Sequence, residues 1–416
     1  METRRKKLIW VSPWGYTEGW LLCAGLLITG LLLQLTIGGL SSGALSWPIN
    51  IIFATTFTVA LVIGWVFFKK NNMINWLSRV PAAITSIVFV TFLVLIMGFT
   101  LQVDSENPVW VQKLGLSNMT NSWPFLFGIV FFLAALGMAT LKRITPFKGR
   151  NIGFFLNHAG LYIAILAGIA GAPDLKRLTM ELHHDSIVWV SMDRQGHLYE
   201  MPLAMQLVSF NMEEYNPKVA IIESRTGRIV PEGLKDIFEI SKGNVGSILD
   251  WQVEVKEFYS LSGRFGERFE PVMDWGAAPA ALMKVTDPDG NITEGWITCG
   301  SFMYPHQLLE LDDNLSLAMT IPQASHYSSD VIIYTEDGDV IETRIEVNKP
   351  VSAQGWKLYQ YSYDDRFGRY SSTSIIEAIR DPWLPVVYTG IFMLIAGSVY
   401  LMTLGKAPEN QEGDLS

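Results

Sequence analysis

The chain has 416 residues, 49% of them hydrophobic and only 17% charged, and its mean hydropathy is positive at +0.25. Such a balance excludes an ordinary soluble domain throughout and suits a membrane protein with a sizeable soluble part. The net charge of −9 offers no argument for a nucleic-acid partner.

Crossing the hydrocarbon core takes about 20 apolar residues as a helix. Six stretches qualify, near Gly19–Leu40, Pro48–Phe68, Pro81–Val103, Trp123–Leu141, Ile152–Ala172 and Trp383–Leu404. The first reads as a retained helix, because its apolar run is long and no small-residue cleavage site leads into a soluble domain. Between the fifth and sixth lie about 210 residues of ordinary soluble composition, enough for a domain. The organisation expected is a basic N-terminus at 1–18, a membrane domain of five helices at 19–172, a β-rich domain at 173–382, a last helix at 383–404 and a polar tail at 405–416.

Lys and Arg in the short loops set the orientation. Arg4, Arg5, Lys6 and Lys7 precede the first helix. Lys69, Lys70 and Arg79 follow the second, and Lys142, Arg143, Lys148 and Arg150 follow the fourth. The alternate loops hold almost none, Lys113 being the exception. Both termini are therefore expected in the cytoplasm and the large domain outside, which in a bacterium means the periplasmic side of the inner membrane. Trp10, Trp14 and Trp20 read as an interfacial belt.

The outer segment reads as strands. DSIVWVSM, ILDWQVEVKEFYS, AALMKVTDPDGNITEGWITCG and DVIIYTEDGDVIETRIEV mix β-branched and aromatic residues with turn signals. Asp289-Gly290 and Asp337-Gly338 can supply the positive φ of tight turns. A β-sandwich or a related antiparallel domain is expected, with Trp251, Val253 and Val255 at core positions. In Val347–Asp365, Trp356, Leu358 and Gln360 should alternate across the strand with Lys357, Tyr359 and Tyr361, after a bend at Gly355. Packing is the favoured reading of that strand over contact with a partner.

Motifs of soluble enzymes are absent: no G-x-S-x-G, no P-loop, no G-x-G-x-x-G, no H-E-x-x-H and no C-x-x-C. The two cysteines, Cys23 and Cys299, fall on different sides of the topology, so no disulfide joins them, and each reads as a small buried hydrophobe. His183, His184, His197, His306 and His326 are scattered through the soluble part and read as surface or satisfied residues. His158 differs, being the one histidine inside the six apolar stretches. Ionisable groups in hydrocarbon are costly and usually face other helices or a cavity. A neutral imidazole there could ligate iron, or it could hydrogen-bond a neighbouring helix beside Asn157. Position alone leaves both open. If His158 does hold haem, no second histidine of these helices can oppose it. Gly160, Gly168, Gly171, Phe154, Phe155 and Tyr162 would suit a flat macrocycle, and equally plain helix packing.

Three further patterns carry a family resemblance: NKP-x4-GW-x-LYQ-x-SYD at Asn348–Asp364, DP-x-x-PVVY-x-G at Asp381–Gly390, and N-H-x-G-L at Asn157–Leu161. Together they resemble the ResB, or CcsB, family of system II cytochrome c maturation, over roughly Lys142 to Met402. The resemblance implies a subunit of a cytochrome c synthase (haem lyase) working with a CcsA/ResC partner. The pair would carry haem b across the membrane and present it to apocytochrome c, where its vinyl groups form thioethers with Cys-x-x-Cys-His. It further implies that His158 is the axial ligand of the haem iron. This chain alone would not be catalytically competent, since it lacks the partner's tryptophan-rich segment. Five helices precede the outer domain here, where simpler members of the family show fewer. Two other classes remain: a haem-free scaffold that stabilises a CcsA-like partner or holds apocytochrome c, and a transporter or channel. The second suits mostly apolar helices poorly.

Overall fold

The computed structural model describes residues 10, 12–41, 43–230 and 237–403. The basic residues Arg4 to Lys7 and the polar tail at 405–416 lie outside the described residues. The chain divides into a helical unit, Met1–Leu175 with Asp381–Ser416, and a strand-rich unit, Lys176–Arg380.

The helical unit contains α1 (Tyr16–Ile37), α2 (Ile49–Phe68), α3 (Asn72–Leu77), α4 (Val80–Phe99), α5 (Val109–Lys113), α6 (Trp123–Ile144), α7 (Ile152–Gly171) and α8 (Leu384–Thr403). Six of these, all but α3 and α5, are long and apolar enough to cross a membrane. Their ends differ from the sequence expectation by local chemistry. α1 stops at Ile37 because Gly38 takes a φ of 78°. α4 stops at Phe99, short of Val103, where the Gln102 amide donates to the carbonyls of Met97, Thr100 and Leu116. The short α3 was not apparent from hydropathy. It starts at a cap, with the Asn71 side chain accepting from the Met73 N–H at 2.9 Å.

Contacts order the long helices. Gly19 and Cys23 of α1 meet Thr85 of α4, while Gly30 of α1 meets Pro124 of α6. Gly137 of α6 meets Leu61 of α2, and Thr58 of α2 reaches Tyr162 of α7 at 3.0 Å. α7 and α8 run antiparallel with glycines at each crossing. A Cβ on Gly160 would lie 2.5 Å from the Leu394 nitrogen, and one on Gly390 would lie 2.6 Å from that of Ala164. Lipid tails are as apolar as the helices, so close backbone approach of this kind is what drives such pairs together. The basic turns at Lys69, Lys70 and Arg79 and at Lys148 and Arg150 therefore leave one end of the bundle. The chain departs for the strand-rich unit, and returns from it, at the other.

The strand-rich unit runs β1 (Lys176–His183), β2 (Ile187–Met192), β3 (Leu198–Glu214), β4 (Lys218–Glu223), β5 (Phe238–Glu239), β6 (Val245–Ile248), β7 (Trp251–Phe265), β8 (Arg268–Pro271), β9 (Ala278–Thr286), β10 (Ile292–Thr298), β11 (Leu309–Glu310), β12 (Leu315–Met319), β13 (Ala324–Thr335), β14 (Val340–Glu346), β15 (Val351–Ala353), β16 (Trp356–Tyr363) and β17 (Thr373–Arg380). They form three antiparallel sheets, in the orders β14-β13-β3-β2-β1-β17-β16-β15, β10-β9-β7-β6 with β8 on β7, and β11-β12-β4-β5. The two smaller sheets share one core, including Ile221, Val253, Val255, Met283 and Leu317, and make the sandwich that was expected. Trp251 is only half-buried at its edge. The eight-stranded sheet was not foreseen. It curls until β14 approaches β15 and β16, and it encloses a separate core that includes Met180, Met205, Ile333, Trp356, Leu358 and Ile376.

The turns follow the glycines. Gly290 and Gly338 take φ of 89° and 87°, whereas Asp289 and Asp337 are not in the left-handed region. Each Asp-Gly pair thus closes a longer hairpin in which only the glycine is left-handed. The N–H of Gly290 reaches the Asp287 carbonyl at 3.1 Å and that of Gly338 reaches Thr335 at 3.0 Å. A two-residue turn with both residues at positive φ lies instead at Gln354-Gly355, between Ala353 and Trp356. Beyond it Trp356, Leu358 and Gln360 point inward as the alternation requires. The inward Gln360 is satisfied: its Oε1 accepts from Ser329 Oγ at 2.7 Å, and its Nε2 donates to Ser374 Oγ at 3.0 Å.

Candidate functional site

His158 is the seventh residue of α7, six beyond Ile152, so roughly 9 Å along the axis. α7 has three faces. Gly153, Asn157 and Gly160 face α8, where Asn157 Nδ2 donates to Ser398 Oγ at 2.8 Å. Phe155, Ala159 and Tyr162 line a small apolar cavity of about 130 Å³ with Thr58, Leu61 and Thr140. Phe154 and His158 share the third face, their rings stacked with centroids 3.8 Å apart. Arg143, in the last turn of α6, holds its guanidinium 5.9 Å from the Phe154 ring.

The imidazole has one hydrogen bond, from Nδ1 to the Phe154 carbonyl at 3.2 Å. A carbonyl oxygen only accepts, so Nδ1 carries the proton. The neutral ring then keeps its lone pair on Nε2, which has no hydrogen-bond partner among the described residues. A metal-ligating histidine commonly has this arrangement, with one nitrogen oriented by a backbone carbonyl and the other free. The hydrogen bond to a neighbouring helix belongs to Asn157 and not to His158.

Other parts of the anticipated haem surface are already occupied by protein. Gly160 packs on the α8 backbone and Gly171 packs on Trp383, while Gly168 faces open space. Phe155 packs on Phe147, and the Tyr162 hydroxyl contacts Thr58. The cavity beside Ala159 is smaller than the roughly 300 Å³ at which ligand pockets begin, and His158 does not line it.

Asp174 was not apparent from the sequence as a structural centre. One carboxylate oxygen accepts from Asn50 Nδ2 at 2.6 Å and Trp383 Nε1 at 2.7 Å, and the other accepts from the Trp47 N–H at 2.8 Å. It ties together the ends of α2, α7 and α8 where the chain passes to and from the strand-rich unit. A lone carboxylate directly after an apolar helix, with tryptophans at two other helix starts, was the available signal. Asp174→Ala is expected to lower stability by roughly 2–3 kcal/mol, because Asn50 is buried and loses a charge-assisted bond. Asp174→Asn, which retains an acceptor, should lose less. Thermal unfolding of the two variants in detergent checks the order, and equal losses would refute the clamp.

Three of the other five histidines are separately engaged: His197 with Asp193 at 3.0 Å, His326 with Glu346 at 3.5 Å, and His183 with Thr373 at 3.2 Å. Among the described residues no three His, Cys, Asp or Glu side chains cluster to hold a metal ion. Cys23 and Cys299 are free thiols. Burial pushes the Cys299 thiol up to about 11. At pH 8, in a Cys23→Ser background, its alkylation by iodoacetamide should run about a hundredfold slower than that of an unperturbed thiol and should still be rising at pH 10. A rate matching a free peptide thiol would contradict the burial.

The architecture is thus that of a multi-helix protein, apolar enough for a membrane, with a large strand-rich domain inserted before its last helix. Residues 310–378 match the family model described as the ResB-like family, and no curated protein matches the chain. This segment is similar to the ResB-like family, consistent with the ResB/CcsB resemblance, and the match suggests a role in cytochrome c biogenesis. The matched segment runs from Glu310 of β11 into β17 and contains the GW-x-LYQ strand. N-H-x-G-L and DP-x-x-PVVY lie outside it.

Proposed function

We propose that this protein is the ResB/CcsB-type component of a system II cytochrome c synthase, working with a CcsA/ResC partner to move haem across a bacterial inner membrane and support its attachment to apocytochrome c. The ResB-like match at residues 310–378 is the observation that carries this reading. The six apolar helices are taken to span the membrane with the basic turns cytoplasmic, which puts the strand-rich unit in the periplasm. His158 would then lie in the inner half of the bilayer.

Haem b is the cargo, and His158 Nε2 is the atom of this chain that would bind its iron, supplying an axial nitrogen that tunes the iron's potential. Phe154 holds the ring through stacking and through its carbonyl. An opposing ligand would come from the partner, and attachment would gain chiefly from alignment of vinyl and thiol. The chain and a CcsA-like protein, purified together, should show b-type haem bands in a reduced-minus-oxidised spectrum. A stoichiometric complex without such bands would refute haem carriage. One observation favours the haem-free scaffold reading instead: α8 and Trp383 fill the glycine notches at Gly160 and Gly171 that a macrocycle could have used.

A further inference from the structure

The strand-rich unit holds a cleft of about 290 Å³ that neither haem carriage nor helix packing uses. Loop ends from different sheets build it: Glu214 at the end of β3, Cys299 and Phe302 after β10, and Phe367, Arg369 and Tyr370 between β16 and β17. Arg369 pairs with Glu214 at 2.8 Å, and the Tyr370 hydroxyl donates to the Ala277 carbonyl at 3.0 Å, so the seam is pinned. Burial nonetheless holds Glu214 above the usual carboxylate range, and Arg369 Nε is buried without a hydrogen-bond partner among the described residues.

The mouth is aromatic. Trp275, Phe302, Phe367 and Tyr370 touch in a chain with centroids 5.3 to 5.9 Å apart. Ile321 lines the cleft and is 79% exposed, and Met303, next to Phe302 in the chain, is 64% exposed. Scattered apolar residues on a surface need no explanation, but a contiguous apolar patch around a cleft marks an interaction site. Methionine in such a patch adapts to side chains of different shape.

Charge selects the partner. Residues 176–380 hold 18 Lys and Arg against 31 Asp and Glu, a net −13, whereas the rest of the chain holds 13 against 9, a net +4. Inside the cleft the arginines are already committed, Arg366 to Asp364 at 2.6 Å and Arg369 to Glu214. Asp365 lines the cleft and is exposed. Burial holds Tyr370 up, with Arg369 opposing and Glu214 and Asp274 adding to the rise, and Asp274 is exposed beside Trp275. An anionic lipid surface or a second copy of this unit would be repelled by that charge.

We propose that this cleft docks an extended, cationic polypeptide segment, seating one apolar side chain among Phe302, Phe367 and Tyr370 while flanking Lys or Arg residues meet Asp365 and Asp274. Docking of this kind needs no haem and stands or falls separately from His158.

The test is fluorescence anisotropy with the full-length protein in detergent and three labelled peptides: a Lys/Ser peptide with a central Leu-Phe pair, the same peptide with Gly-Gly at its centre, and the same with Glu for Lys. The first should bind saturably, and the other two at least about tenfold more weakly. Phe302→Ser should weaken the first about tenfold and Asp365→Lys several-fold, while Phe302→Trp retains binding. Asp313→Lys, on the turn between β11 and β12, should change little. Absent binding, an undiminished affinity in Phe302→Ser with native circular dichroism, or an equal loss in Asp313→Lys would each overturn the docking site. So would light scattering showing a dimer that Phe302→Ser dissociates, or capture of the wild type by phosphatidylglycerol vesicles through Phe302.

Discussion

Replacing His158 with alanine is expected to strip haem from the complex with a CcsA-like partner, leaving at most about a tenth of the wild-type bands at matched protein level. The size of the effect follows from the ligand count. The six apolar helices contain no other histidine, so within them no side chain of this type can substitute. The neighbourhood is also poorly built to hold haem by packing alone, because Gly160 and Gly171 are filled by protein. On the proposed reading the axial bond would therefore supply much of the retention contributed by this chain. Added imidazole should restore the bands, since it replaces the lost nitrogen in the space that alanine leaves. Phe154→Ala, which removes the stacked ring but keeps the carbonyl, should lower occupancy less. Full haem content in an intact His158→Ala complex would remove the ligand role and leave the scaffold reading ahead.

The second large effect concerns the strand-rich unit. Trp356→Ala should cost about 3–5 kcal/mol, the range for deleting a large buried aromatic side chain. Trp356 is 4% exposed and sits in the core of the eight-stranded sheet with Leu358 and Ile376. Its indole N–H is buried without a hydrogen-bond partner among the described residues. Trp356→Phe therefore removes an unpaired donor along with part of the ring, and it should cost under about 1.5 kcal/mol. Amide hydrogen exchange in β1, β3, β16 and β17 of the full-length protein measures the difference. Protection in Trp356→Ala within about 1 kcal/mol of wild type would show that the sheet does not rest on this side chain.

The comparison of α7 with β16 shows what could be read in advance. The alternation of Trp356, Leu358 and Gln360 is a property of any pleated strand with one buried face, so it was legible locally. The same logic identified the apolar helices, whose length is set by the bilayer and not by neighbours. His158 stood out because an ionisable group in an apolar run is costly wherever it points. Its proton position did not stand out, since that depends on the Phe154 carbonyl and on the absence of a cross-helix partner. Asp289 and Asp337 mark the limit of local reasoning from the other side. Their Asp-Gly pairs announced hairpins correctly, yet the loop length, and hence which residues turn left-handed, followed from how the flanking strands pair.

By itself the sequence determined the six apolar helices, the basic ends that bias their orientation, the strand-rich insert and the candidate ligand. Each is written in a run of neighbouring residues, through hydrophobicity, charge or pleat period. Only the tertiary structure decided that the insert has two cores, that the glycines of α7 serve α8, and that Asp174 clamps three helix ends. It alone brought Glu214, Phe302 and Arg369 to one cleft. Those are contacts between residues tens to hundreds of positions apart, and their energies depend on which surfaces exclude water together, a quantity that no local pattern encodes.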